Sequence, residues 1–132
     1  MHNNLIEKNL SQYFQDFYIT RSSSGTSALI AILKSLTKDS NKDEVIIPSV
    51  VCPSVMFAVN FLCLKPVFVD MELKFFNMCI KDLKKKISKK TLAIIGVHCF
   101  GIAADINSLV TICKKKKNFF NRRCMFKLRW ET

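Results

Sequence analysis

The sequence lacks the features that would mark a membrane protein or a secreted, disulfide-rich one. No apolar run approaches the ~20 residues needed to span a bilayer. The N-terminus, MHNNLIEKNL, has neither the basic patch nor the apolar core of a signal peptide. None of the six cysteines forms a CxxC pair, and most lie within apolar runs, which favours buried free thiols over a zinc site or a disulfide framework. We therefore predict a cytoplasmic protein that binds no metal.

Acidic residues are scarce as well. The chain has 132 residues, with 21 Lys and Arg against 10 Asp and Glu, so its formal net charge is +11. Residues 114–132 hold eight of the basic residues and one acidic residue, so the rest of the chain is only mildly basic. Aromatic side chains are interleaved with Arg and Lys in this segment, a composition that single-strand nucleic-acid binders use. Nucleic-acid binding through this basic tail is therefore an alternative hypothesis for the function.

Short apolar segments alternate with helical patterns along the chain. The predicted strands are the short extended segment Phe17–Thr20 and the apolar runs Glu44–Ile47, Pro66–Asp70 and Thr91–Val97. The predicted helices are Leu5–Phe14, the segment from Thr26 to Leu36, Ser54–Leu62, Ile80–Ile87 and Ile106–Lys116, and Met71–Asn77 is predicted as a loop. Strands that are nearly all apolar are covered on both faces. The order of elements predicts an α/β fold, a partial three-layer sandwich with a mainly parallel sheet.

The segment Arg21–Leu36, RSSSGTSALIAILKSL, predicts a small-residue turn that opens onto a helix. The first amides of a helix have no partners within it, and the helix dipole puts partial positive charge there. Gly25 lets an anion approach the backbone, and the Ser and Thr hydroxyls can add hydrogen bonds. The turn is therefore a candidate phosphate site. An ordinary Ser or Thr cap without a ligand is the alternative.

Five segments, in this order, carry a resemblance to a known family. SGTSAL, DEVIIPS, KPVFVD, a Phe-Asn pair and GVHCFGIAADI resemble segments of the DegT/DnrJ/EryC1/StrS aminotransferases, over roughly Leu5–Lys116. These are fold-type I pyridoxal-phosphate enzymes that mostly act on nucleotide-linked keto sugars, with an amino-acid donor, in amino-sugar and cell-surface polysaccharide biosynthesis. The resemblance implies that residues 1–117 are an incomplete large domain, and that the parent enzyme is a homodimer.

The resemblance also implies a cofactor site. Gly25 and Thr26 match the family positions that hold the phosphate of pyridoxal phosphate, through backbone amides and the Thr hydroxyl. Cys52 matches a position where the family commonly places an aromatic ring over the pyridine. A thiol cannot stack as a ring does, but its polarizable sulfur can touch a π face. Plain packing is the alternative for Cys52.

Three further polar residues are expected near the same edge of the sheet. His98 lies in the family's VHxxG loop, where it either lines the site or is satisfied by a neighbouring carbonyl. Asp105 is predicted to cap the helix that follows it. Asp70 closes a strand, and we predict that it orders the next loop rather than performing acid–base chemistry.

In the family, further residues and a second subunit complete the site. The chemistry itself needs two more residues, a lysine that forms a Schiff base with the cofactor and an aspartate that pairs with the pyridine nitrogen. The resemblance places both beyond the matched segments, so we assign no catalytic residue here and predict that the chain alone is inactive.

Residues 118–132 show no periodicity that suits a buried strand. We predict that they are an aberrant tail produced by a reading-frame shift near Lys117. The loss of later strands would expose a sheet edge, which predicts poor solubility. A small α/β phosphate-binding module with its own function is the remaining alternative.

Overall fold

The computed structural model describes residues 21–38, 40–99, 102–115 and 125–129. Its elements in chain order are α1 (Gly25–Thr37), β1 (Glu44–Pro48), α2 (Pro53–Phe61), β2 (Lys65–Val69), β3 (Met71–Glu72), β4 (Asn77–Met78), α3 (Ile80–Lys86), β5 (Thr91–His98), α4 (Ile106–Lys115) and β6 (Met125–Arg129). Among these residues, no helix is long and apolar enough to cross a bilayer. The predicted helix Leu5–Phe14 and the extended segment Phe17–Thr20 lie outside the described residues.

Four of the strands form one parallel sheet in the order β2-β1-β5-β6. β1 pairs with β2 from Glu44 opposite Lys65 to Pro48 opposite Val69. β1 also pairs with β5, with one shift of register between Glu44 and Val45. Parallel neighbours need a crossover between them, and α2 supplies the crossover from β1 to β2. The prediction of a mainly parallel sheet is confirmed.

Helices cover both faces of this sheet because alternate residues of each central strand point to opposite sides. Val45 and Ile47 of β1 belong to one apolar cluster, whose helical members come from α1 and α2: Leu29, Leu33, Val55, Ala58 and Val59. Ile46 belongs to a second cluster, whose helical members come from α3 and α4: Leu83, Leu109 and Ile112. The structure is therefore a three-layer α/β fold, as the sequence predicts.

β2 departs from its prediction as a strand buried on both faces. Val69 is fully buried, but Phe68 is 41% exposed. The reason is its position, because β2 is the last strand on its side of the described sheet and has a neighbour on one flank only. On the adjacent helix α2, Phe57 and Phe61 are 57% and 62% exposed, with ring centroids 5.9 Å apart. Exposed apolar surface of this kind favours association, while the poor solubility expected from lost strands stays a prediction.

The segment predicted as a loop after β2 contains a small antiparallel hairpin. Met71 pairs with Met78 and Glu72 pairs with Asn77. The amide of Phe76 donates to the Glu72 carbonyl at 2.9 Å and Phe76 has a positive φ of 48°, which closes the tight connection. Strands of two residues are too short to show an alternating pattern, so the sequence contains no periodic signal for them.

The C-terminal segment also departs from its prediction. The sequence analysis predicts no strand after Lys117, yet Met125–Arg129 pairs in parallel with β5, from Ile94 opposite Met125 to His98 opposite Arg129. A strand at the end of a sheet pairs through its backbone on one flank and does not need an apolar pattern on both faces. The prediction that no strand follows Lys117 is therefore wrong. The proposed reading-frame shift concerns the gene and stays a prediction.

The cysteines only partly follow the prediction of buried thiols. Cys99 is buried, Cys52, Cys79 and Cys113 are half-buried, and Cys63 is exposed. None of these five described cysteines is in a disulfide. Burial raises the pKa of the Cys99 thiol, which keeps it protonated and unreactive.

The exposed Cys63 occupies a backbone position that suits glycine. The Cys63 amide donates to the Asn60 carbonyl at 2.9 Å, and the Leu64 amide donates to the Val59 carbonyl at 3.2 Å. These two bonds form a Schellman motif that ends α2. Cys63 holds its left-handed position with φ 55°, where a residue with a Cβ is strained by roughly 1–2 kcal/mol.

We predict that Cys63→Gly stabilises the protein. Relief of the left-handed strain outweighs the extra unfolded-state entropy of glycine, so the expected net gain is ~0.5–1 kcal/mol. Thermal denaturation followed by circular dichroism measures it as a higher Tm. Cys63→Ala is the matched control, because it removes the thiol but keeps the Cβ. An equal rise in Tm for both variants would show that the thiol, and not the backbone, is responsible.

Candidate functional site

The carboxyl edge of the sheet collects the residues that the sequence analysis selects. α1 ends at Thr37 and a short connection leads to Glu44 at the start of β1, so the C-terminus of α1 lies at the amino edge. Its 13 residues rise ~20 Å, about the ~17 Å length of a five-residue strand. The N-terminus of α1 therefore lies at the carboxyl edge. α2 begins at the same edge, since it follows β1 through a short loop.

Serine side chains cap the N-terminus of α1. The Ser24 side chain accepts a hydrogen bond from the Ser27 amide at 3.1 Å, with Ser24 in an extended conformation as the N-cap residue. The hydroxyls of Ser24 and Ser27 are 2.8 Å apart, and those of Ser23 and Ser27 are 3.1 Å apart. The predicted turn and helix start are confirmed. The serine cap, which the sequence offered as the alternative to a phosphate site, is also present. A serine cap uses one of the first amides of the helix and leaves those of Gly25 and Thr26 outside any intrahelical bond.

Gly25 keeps the approach to these amides open. A Cβ built at Gly25 would meet no atom within 4 Å, and the residue is exposed. An anion can therefore reach the first amides of α1 without displacing any described side chain. The positive end of the helix dipole and the adjacent hydroxyls are the donor set that suits a phosphate. These residues fit the phosphate group that the resemblance implies.

Cys52 stands at the start of α2, as its N-cap residue, with Pro53 in the first turn. The Ser54 hydroxyl donates to the Cys52 Sγ at 3.1 Å. Hydrogen bonds from the hydroxyl and the amide of Ser54 lower the pKa of the Cys52 thiol. The side chain is half-buried. It lies at the carboxyl edge, where the resemblance expects a residue beside the cofactor ring.

His98 ends β5 at the same edge and is 8% exposed. Its Nδ1 accepts a hydrogen bond from the Ala104 amide at 2.8 Å. The partner of Nδ1 is thus a backbone amide and not the backbone carbonyl expected from the sequence. This contact joins the end of the strand to the segment that leads into α4.

Asp105 is the predicted cap of α4, and the structure confirms it. The Ser108 amide donates to Asp105 Oδ1 at 3.1 Å. Hydrogen bonds from the hydroxyl and the amide of Ser108 lower the pKa of the Asp105 carboxyl. The amide of Asp105 itself donates to Asn77 Oδ1 at 3.2 Å. Sequence reasoning missed this role of Asn77, because its partner is 28 residues away and no local pattern connects the two.

Asp70 organises the chain after β2 through its backbone. Its carbonyl accepts a hydrogen bond from the Cys79 amide at 2.7 Å, and its amide donates to Asp82 Oδ2 at 2.9 Å. Asp82 also forms an ion pair with Lys86 at 2.6 Å. These contacts support the prediction that Asp70 orders the following loop. In the part of the chain that the structure describes, no group of three His, Cys, Asp or Glu side chains could hold a metal ion.

The layered fold, with helix N-termini at the carboxyl edge of a parallel sheet, defines the class: an α/β protein that presents backbone donors where such sheets bind ligands. A family model described as the DegT/DnrJ/EryC1/StrS aminotransferase family matches residues 1–120. The chain belongs to this family.

Relatives and solved structures agree with this assignment. GDP-perosamine synthase of Escherichia coli O157:H7 is 34% identical over 107 residues, which is 81% of this chain and 29% of the relative. UDP-N-acetyl-3-dehydro-alpha-D-glucosamine 3-aminotransferase of Acidithiobacillus ferrooxidans is 36% identical over 92 residues, 70% of this chain and 25% of the relative. The chain thus spans between a quarter and a third of these relatives.

Two solved structures cover almost the whole chain. Spr1654 from Streptococcus pneumoniae, in its PMP form, superposes with a TM-score of 0.82 at 28% identity, over 97% of this chain and 34% of that one. NtdA from Bacillus subtilis, with bound cofactor PMP, superposes with a TM-score of 0.79 at 27% identity, over 96% of this chain and 27% of that one. The fold of the chain is therefore that of part of a larger enzyme.

We predict that Ser24→Ala lowers the stability of the chain by ~1 kcal/mol, the typical value of an N-cap side chain. The Ser27 amide loses its acceptor and α1 frays from its first turn. Urea denaturation measures the loss as a lower midpoint. Ser24→Asp should retain stability because it keeps an acceptor at the cap. Ser22→Ala is the control for removing an exposed serine hydroxyl nearby, and an equal loss in that variant would contradict the assignment of Ser24 as the cap.

The ion pair of Asp82 predicts a dependence of stability on pH. The hydrogen bond from Lys86, and then that from the Asp70 amide, lower the pKa of the Asp82 carboxyl. A carboxyl with a lowered folded-state pKa contributes stability above its unfolded pKa of ~3.9, and this is lost as pH falls through the folded value. Urea midpoints from pH 6 to pH 3 should therefore fall more in the native chain than in Asp82→Asn. Parallel curves would show that the pair contributes nothing.

Proposed function

We propose that this chain is the N-terminal part of the large domain of a pyridoxal-phosphate-dependent aminotransferase that acts on nucleotide-linked keto sugars. The family assignment and the names of the relatives support it. The observation that carries the proposal is the open, capped N-terminus of α1 at the carboxyl edge, within the segment SGTSAL. The whole enzyme would use an amino-acid donor and serve amino-sugar or cell-surface polysaccharide biosynthesis in the cytoplasm, as a homodimer.

Gly25 and Thr26 would hold the cofactor phosphate. Their backbone amides lie at the positive end of the α1 dipole, and the Thr26 hydroxyl offers a further donor. Pyridoxal phosphate, when bound, supplies a ring that takes up electrons from the substrate. The part of this chain in that chemistry is to bind and orient the phosphate, and none of its residues is assigned a proton transfer.

Cys52 would lie beside the cofactor ring. Its place at the start of α2, on the same edge as α1, supports this role. The Cys52 sulfur, which accepts the hydrogen bond from Ser54, is polarizable and can contact a π face. This replaces the stacking that an aromatic side chain would provide at the matching family position.

The Schiff-base lysine and the pyridine-binding aspartate implied by the resemblance match no position in residues 1–117. The lysines of α3 and the turn after it, from Lys84 to Lys90, lie toward the amino edge, since α3 runs from the carboxyl edge to the start of β5. They are therefore proposed to be solvated surface residues. The relatives do not support the alternative of nucleic-acid binding, because those compared are enzymes of nucleotide-sugar metabolism.

We predict that Gly25→Ala weakens phosphate binding without loss of stability. A methyl group at Gly25 meets no described atom, and alanine suits a helix better than glycine, so the fold is retained. The same methyl group occupies the approach to the first amides, so affinity should fall about tenfold, the equivalent of ~1.4 kcal/mol. Isothermal titration with pyridoxine 5′-phosphate measures this change, and the absence of an aldehyde prevents adducts with surface lysines.

The control ligand is pyridoxine, which lacks the phosphate, and the control variant is Ser22→Ala. The native chain and Ser22→Ala should bind pyridoxine 5′-phosphate equally and more tightly than pyridoxine. Equal affinities of the native chain and Gly25→Ala, or equal affinities for the two ligands, would overturn the phosphate site.

A further inference from the structure

Two side chains from different elements hold consecutive amides in the segment that leads into α4. His98 Nδ1, at the end of β5, accepts from the Ala104 amide at 2.8 Å. Asn77 Oδ1, in β4, accepts from the Asp105 amide at 3.2 Å. We name these two hydrogen bonds the amide latch. Because the Asp105 carboxylate in turn caps α4, the latch sets where α4 begins relative to the sheet.

The two halves of the latch differ in their acid–base chemistry. An imidazole nitrogen that accepts a hydrogen bond carries no proton, so neutral His98 holds its proton on Nε2. Protonation of His98 would place an N–H at Nδ1, directly opposite the N–H of Ala104. Both groups would then be donors, and at 8% exposure little water is available to satisfy them. The side-chain amide of Asn77 does not titrate, so the hydrogen bond from the Asp105 amide to Asn77 Oδ1 does not depend on pH.

We propose that His98 and Asn77 are positioning residues, and that protonation of His98 breaks one of the two hydrogen bonds of the latch and leaves the other intact. The Ala104 amide is then released while the Asp105 amide stays held by Asn77. The backbone at Ala104 is then less restrained, and α4 keeps its capped start at Asp105. This inference rests on the two hydrogen bonds alone and holds whether or not the proposed cofactor site is correct.

The charges around His98 decide the pH at which the latch opens. A negative charge nearby favours the imidazolium, and a positive charge disfavours it. Surrounding elements carry the following titratable or charged residues near this edge: Asp70 after β2, Glu72 on β3, Cys99 next in the chain and Asp105 before α4. On the other flank of β5, the backbone of Arg129 in β6 pairs with that of His98 in register. An imidazole ordinarily changes its charge between pH 5 and 8, so this is the range in which the proposal is tested.

Native-state hydrogen exchange of the full 132-residue chain tests the proposal. Nuclear magnetic resonance of the ¹⁵N-labelled protein gives protection factors for the Ala104 and Asp105 amides between pH 5.5 and 7.5, with intrinsic pH effects divided out. The Ala104 protection factor should fall about fivefold toward low pH, the factor that a net hydrogen bond of ~1 kcal/mol represents. The Asp105 factor and those of the β5 core amides at Ile94 and Ile95 should stay constant.

Variants separate the two halves of the latch. His98→Phe should lower the Ala104 factor at pH 7.5 and remove its pH dependence. Asn77→Leu should lower the Asp105 factor at every pH, and Asn77→Asp should restore it because an acceptor oxygen returns. A common fall of both amides in the native chain, a pH dependence that persists in His98→Phe, or an Nδ1 that carries the proton at pH 7.5 in ¹⁵N spectra of the imidazole would each overturn the proposal. Of these measurements, the imidazole spectra use the native chain, and the test of the remaining pH dependence uses His98→Phe alone.

Discussion

The parallel pairing of β1 with β5 is the interaction on which the rest of the structure depends. Ile46, Ile47, Ile94 and Ile95 have no exposed surface, and full burial of such a side chain contributes roughly 1.5–3 kcal/mol. A surface ion pair such as Asp43–Lys65, at 2.7 Å with both side chains exposed, contributes far less because water solvates and screens both charges. Apolar burial on two faces therefore fixes the sheet, and the helices follow because each must cover one of those faces.

This arrangement creates the candidate site from backbone donors at the ends of the elements. Strands that run in parallel end at one edge, and the helices that cross back begin at that edge. The first amides of α1 and the start of α2 thus come together as a consequence of topology. Ser24 completes the helix start, and Gly25 leaves it open. The same geometry explains how a chain that spans only part of the length of its relatives presents the open helix N-terminus at Gly25.

Contacts between distant segments complete the edge. Asn77 and His98 reach the segment before α4 from a hairpin and from a strand end, and β6 adds a fourth parallel strand beside β5. None of these contacts has a local sequence signature. The hairpin strands have two residues each, and β6 contains Lys127 and Arg129 among its apolar residues, so neither shows the alternation or the apolar run on which strand prediction depends.

The sequence by itself determined the helices α1 to α4, the central strands β1 and β5, the serine turn before α1 and the cap at Asp105, because these depend on periodicity and on side chains that bond to neighbouring amides. It also carried the family resemblance through five ordered segments. Only the tertiary structure decided that Phe68 is exposed, that residues 125–129 pair with β5, and which amides His98 Nδ1 and Asn77 Oδ1 contact. Those outcomes depend on which elements are neighbours in the fold. The sequence gives the separation of residues along the chain, but not their distances across the sheet.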